Sequence, residues 1–171
     1  MGLFHKLMNK LGRYRLIPDR TTGEDYLHRY YLFLKDRKWF PFNVTLHKIV
    51  RSDDPIFHDH PWPYITVVLK GGYWEHTPVF NIDGMMLIEF QVWRGPGSII
   101  KRGAGEYHWL ELEEGGSATT LFFMGPQQRE WGFLVQVKKG IHRWIKWTDY
   151  LDSWKPYHAK YIARTANKKK D

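Results

Sequence analysis

Leu3, Phe4, Leu7, Met8 and Leu11 fall at intervals of three and four, with Lys6, Lys10 and Arg13 between and after them. This is the pattern of a short amphipathic helix ending near Gly12. Its apolar stripe needs a cover, which the body of the domain, a second subunit or a peripheral membrane contact could provide. Thr22-Gly23 marks a turn, and the aromatic run 26–34 suits a strand or a short helix. From Phe42 the character changes to short β-rich runs broken by Gly, Pro and Asp, the spacing of a sandwich or barrel rather than of alternating strands and helices. The expected strands are 43–51, 64–70, 72–76, 85–92, 98–101, 108–112, 118–124 and 132–137, a set that suits a double-sheet jelly roll. Beyond Gly140, Trp144, Trp147, Tyr150, Leu151 and Trp154 recur at helical spacing, which predicts a C-terminal helix laying an aromatic stripe on the strands. The chain thus divides into an N-terminal helix and extension (1–41), a β domain (42–137) and a C-terminal helical segment with a basic tail (138–171).

At 171 residues and 43% hydrophobic, the chain can bury one core and is short for two domains. The absence of cysteine removes disulfides, thiolate ligands and a thiol nucleophile, so any metal must sit on His, Asp or Glu. The longest apolar runs, such as 64–69, fall far below the roughly 18 residues of a membrane span, and the N-terminus has no signal-peptide pattern. Lys6 occupies the position where a myristoylation signal needs Ser or Thr. A cytoplasmic location is the expectation. The formal charge of +8 favours anionic partners, although much of it lies near the termini, in Lys6, Lys10, Arg13, Arg15 and 168–170. The tryptophans and tyrosines are spread as core residues would be, without the interleaved Arg and aromatic stripe of a nucleic-acid surface, so nucleic acid is not the expected partner.

The informative segment is Pro55-Ile-Phe-His-Asp-His-Pro-Trp62. In extended chain, residues two apart project to one face, so His58 and His60 can both point inward while Asp59 points away as a turn or supporting group. Two imidazoles on one face make half of a transition-metal site. The segment resembles the first motif of the cupin superfamily, in which a His-x-His pair is followed by a glutamate and then a glycine; His58, His60 and Gly71 stand in register. Gly97, Gly105 and His108 match the spacing of the second cupin motif, with Gly103 at its usual proline position. The resemblance covers roughly residues 44–137. It implies an all-β, double-stranded β-helix (the cupin jelly-roll barrel) with short N-terminal and C-terminal helical extensions, and a metal held by His58, His60 and His108.

Tyr64 stands where the motif has glutamate, or Ile65 if the longer spacing is allowed, so the three-His, one-Glu shell of many cupins is not reproduced. The remaining three-His set is similar to that of thiol dioxygenases among cupins, which implies one divalent metal, iron(II) first and zinc, nickel or manganese as alternatives, with positions open for substrate and oxygen. Glu75, Glu106 or His47 could complete the shell. Arg51, Arg102 and Arg129 flank the ligand segments and could anchor an anion; Arg102 and Tyr64 are the candidate catalytic pair, Tyr64 as a hydrogen-bond donor to substrate or to a metal-bound group. Segments 46–47, 51–53, 58–62, 71–73 and 130–133 are similar to those of small cupin proteins of bacteria and phages whose substrates are not defined. The leading reading is a mononuclear metalloenzyme acting on a small anionic molecule, with oxygen-dependent oxidation as the first reaction class. The alternative is a sensor or ligand-binding cupin with a structural metal, and a homodimer is compatible with either.

Overall fold

In the computed structural model, residues 2–19, 22–35 and 40–154 are described; the basic tail lies outside them. Helix α1 (Leu3–Lys10) is followed by strands β1 (Tyr14–Pro18), β2 (Asp25–Tyr31), β3 (Asn43–Ile49), β4 (Tyr64–Gly71), β5 (Tyr73–Phe80), β6 (Met86–Arg94), β7 (Ile99–Arg102), β8 (Trp109–Glu111), β9 (Ala118–Met124), β10 (Gly132–Lys138) and β11 (Ile141–Lys146). A helical turn, α2 (Trp147–Asp149), runs on into a π-helical turn, Tyr150–Trp154.

All strand pairs are antiparallel. One sheet has the order β1-β2-β3-β9-β4-β7, a second β6-β5-β8, and a third β10-β11. Strand β3 alternates buried and less buried residues, so Asn43, Thr45, His47 and Ile49 face inward, and β9 does the same from Ala118 to Met124. The inward sides of the first two sheets meet in a core of Leu27, Ile49, Val68, Tyr73, Ile100 and Ala118, the two-layer packing expected when each sheet has one apolar face. The fold is therefore all-β, in antiparallel sheets, with short helices, in keeping with the expected jelly roll. The sheets stay open at their edges and do not close into the expected barrel.

Two regions were decided by strand pairing. Tyr14–Pro18 and Asp25–Tyr31 form strands that extend the large sheet next to β3, the second taking the strand alternative for the aromatic run 26–34. The C-terminal helix starts only at Trp147: Trp144 lies in β11, opposite Leu134 of β10. A hairpin through Gly140, whose φ is 74°, gives residues 141–146 a hydrogen-bonding partner, and this outweighs the helical spacing of their aromatics. The apolar stripe of α1 is only partly covered. Met8 is buried and Phe4 meets Tyr30 at 5.2 Å, whereas Leu3, Leu7 and Leu11 are exposed.

Gly71 ends β4 at φ 68°, and a Cβ there would lie 1.8 Å from the Ser117 carbonyl oxygen. Gly84 has a similar φ of 74° with open space around it. Gly71→Ala is expected to cost more than about 2 kcal/mol, combining left-handed strain with a main-chain clash, and Gly84→Ala about 1 kcal/mol. Urea unfolding of the two variants checks the difference.

Candidate metal centre

The His-Asp-His segment is a seam between sheets. The His58 amide donates to the His108 carbonyl at 2.9 Å and the His108 amide returns the bond to the His58 carbonyl at 3.0 Å. On its other edge, Asp59 N donates to Gly132 O at 3.1 Å and Leu134 N to Phe57 O at 2.7 Å. The bridges from His58 to His108 and to Phe133 thus join the β8 end of one small sheet to β10 of the other.

Alternation along this short extended piece sends Asp59 away from the two histidines, as expected. Its carboxylate is fully buried. It accepts the Gly132 amide at 2.7 Å and the Trp144 indole at 3.0 Å, and Arg129 lies 3.3 Å away. Burial raises the Asp59 pKa, while these donors and the Arg129 charge oppose the rise. Asp59 therefore fastens the segment to β10 and β11.

Inside, one ring nitrogen each of His58, His60 and His108 lie within 4.8 Å of one another. His60 Nε2 and His108 Nε2 are 3.0 Å apart, and the Tyr64 hydroxyl is 3.2 Å from His108 Nε2. The other nitrogen of His108, Nδ1, is 3.3 Å from Glu75 Oε1. Burial pushes the Glu75 carboxyl up, but the hydrogen bonds and charges of His108 and Arg102 outweigh it and hold the group at about 2. An ionised carboxylate only accepts, so Nδ1–H of His108 donates to Glu75 and its Nε2 faces the other two rings. Burial, followed by the nearby His108 and His58, pushes His60 well below the usual histidine range, which favours its neutral ring. Neutral imidazole nitrogens are what a divalent metal needs, and a carboxylate behind a ligating histidine is the usual supporting contact. The donor set fits one divalent transition metal.

Burial and the Glu75 charge push the Tyr64 phenol well above its ordinary value, which keeps it a neutral O–H donor. Glu75 does not join the three nitrogens. It lies behind His108, paired with Arg94 at 2.8 Å and Arg102 at 2.9 Å. Glu106 binds Arg102 and the Gly103 amide. His47 is also committed: Arg29 Nε donates to its Nε2 at 3.1 Å, and the Thr45 hydroxyl is 2.9 Å from the same nitrogen. An acceptor Nε2 makes His47 neutral, in keeping with the strong downward push of burial and then of the Arg29 charge.

The histidines face a cavity of about 380 Å³ whose wall includes Tyr64, Thr66, Glu75, Ile100, Thr120 and Phe122. None of the three arginines expected to anchor an anion is on that wall. Arg102 turns to Glu75 and Glu106, Arg129 to Asp59 and across the Trp144 ring, and Arg51 to Glu24. Near Arg51 in the chain, Asp53 accepts from the Tyr26 hydroxyl and from the Leu110 amide at 2.8 Å. The wall instead carries Arg15 and Arg29 from β1 and β2. Both were passed over in the sequence because they lie outside the motif segments; the only signal was a pair of cations in alternating, aromatic-rich runs.

No family model matches the sequence, and no curated protein does. Among solved structures, the polyketide cyclase RemF from Streptomyces resistomycificus is 20% identical, with a TM-score of 0.49 over 69% of this chain and 77% of that one. An RmlC-like cupin protein from Ralstonia eutropha is 16% identical, with a TM-score of 0.48 over 84% of this chain and 81% of that one. The Fe(II) form of HppE is 13% identical, with a TM-score of 0.48 over 66% of this chain and 57% of that one. Among the described residues no helix is long and apolar enough to cross a membrane.

Glu75 is ionised in the folded chain down to about pH 2, against an ordinary value of 4.5. As pH falls from 5 to 2 the unfolded chain takes up this proton first, so the stabilisation present above pH 4.5 is lost. The loss attributable to Glu75 is roughly 3 kcal/mol. Urea midpoints of the metal-free protein across that range should fall more steeply for the wild type than for Glu75→Gln; equal slopes would remove Glu75 from the network.

Proposed function

We propose that the protein is a mononuclear metal-dependent enzyme of the cupin type acting on a small anionic molecule, with His58, His60 and His108 as the metal ligands. The observation that carries this reading is the convergence of three imidazole nitrogens at one end of a cavity large enough for a small molecule. A divalent ion held there would supply Lewis acidity and coordination positions open to substrate. Iron(II) is the first metal to load and oxygen-dependent oxidation the first reaction to assay, with zinc, nickel and manganese as comparisons. Tyr64 donates a hydrogen bond to the bound substrate from the same side as His108. Glu75 holds His108 in the tautomer that turns Nε2 inward. Arg102 is a positioning residue, keeping Glu75 charged and in place.

Metal analysis after loading should give a stoichiometric ion for the wild type and substantial loss for both His58→Ala and His108→Ala; unchanged content in both variants overturns the assignment. Oxygen uptake by the iron(II) form across small thiols and carboxylic acids tests the reaction class. In any turnover found, Tyr64→Phe is expected to keep the metal and lower kcat by about 100-fold. Tight metal retention without turnover of any compound would instead indicate a ligand-binding protein.

A further inference from the structure

Arg15 and Arg29 are register partners on the hairpin of β1 and β2, and both line the histidine cavity. Like charges directly opposite on neighbouring strands repel. Among the described residues, neither arginine has a carboxylate within ion-pairing distance. The treatment of the other buried-site charges is different: Arg94 and Arg102 both pair with Glu75. Burial lowers the Arg29 pKa, the mark of a cation partly withdrawn from water; the Tyr31 phenol opposes the fall and the Arg15 charge adds to it. Arg15 is exposed and Arg29 half-buried, so the cost of a cation facing another cation without an anion falls on Arg29.

Arg29 is also held in place. Its Nε–H is used by His47 Nε2 at 3.1 Å, and His47 is itself fixed by Thr45 at 2.9 Å and stacked on Phe122 with centroids 4.9 Å apart. Nε is engaged by His47 and the Tyr31 phenol also bonds the guanidinium, so part of the fork is left to meet a ligand, and a guanidinium is matched to a planar or tetrahedral oxyanion. The nearby wall is apolar and aromatic, with Leu27, Ile49, Ile100 and Phe122.

We propose that Arg15 and Arg29 hold the carboxylate or phosphate group of a small ligand whose apolar body lies across the cavity toward Tyr64 and the three histidines. His47 is the positioning residue for Arg29. The inference deepens the metalloenzyme reading, on which it rests for the role of the ligand's far end, but the anion site itself needs no metal.

Calorimetric titrations of EDTA-treated and zinc-loaded full-length protein test it with three probes: 3-phenylpropanoate, phenyl phosphate and the neutral 3-phenylpropanamide. In the metal-free protein at least one acid should bind, with the amide much weaker. Arg29→Gln should weaken the acid roughly 10- to 100-fold, the scale of a charged hydrogen bond, and leave the amide unchanged. Arg15→Gln should act in the same direction, Arg29→Lys should recover part of the loss, and His47→Phe should weaken the acid while sparing the amide. The stronger of the two acids identifies the anionic group. Failure of both acids to bind the wild type at millimolar concentration, equal binding of acid and amide, or acid affinity unmoved in folded Arg29→Gln and Arg29→Lys overturns the proposal. If metal loading fails while Arg29-dependent binding persists, the anion site stands and the metalloenzyme reading falls.

Discussion

Two reciprocal main-chain hydrogen bonds between His58 and His108 hold the two halves of the candidate site together. They tie a loop before β4 to the start of β8, and the bridge from His58 to Phe133 carries the tie onward to β10. Without this seam the β6-β5-β8 and β10-β11 sheets would be separate pieces facing one large sheet. The same backbone stitch that completes the second layer therefore sets two candidate ligands side by side. Stability and site geometry share an element, so damage to either is felt by both.

Two buried carboxylates secure that element from opposite sides. Asp59, fully buried, is met by a backbone amide, an indole and Arg129. Glu75, 2% exposed, is met by His108, Arg94 and Arg102. A buried charge is tolerated when its lone pairs are filled by well-placed donors, and both groups satisfy that condition. Their positions follow from alternation. Asp59 points away from the metal side because His58 and His60 point toward it, and Glu75 points inward because β5 turns His76 to the other face, where it lies between Glu89 and Glu111. The cavity is left with three histidine nitrogens, a neutral phenol, a compensated carboxylate and, among the described residues, an Arg15 and Arg29 pair with no carboxylate partner.

The sequence alone determined a good deal. Alternation and turn residues located the strands from β3 to β10 to within about two residues, and β9 to the residue, because a strand with one buried face writes a period of two into its own side chains; the exception is β5, which runs on to Phe80, four residues past its expected end. The histidines were legible for the same reason: His58 and His60 are neighbours in one extended piece, and the glycines around His108 mark its loop by their spacing. Only the tertiary structure decided what depends on partners distant in sequence. The hairpin of β10 and β11 claimed Trp144 from the expected helix, since hydrogen bonds to another strand do not appear in local spacing. The large sheet took up β1 and β2 and so brought Arg15 and Arg29 onto the cavity wall. Glu75 could not be assigned behind His108 rather than among the ligands until β5 and β8 were paired. A charged side chain acquires its role from whichever opposite charge or lone pair reaches it, and that is set by packing across the fold.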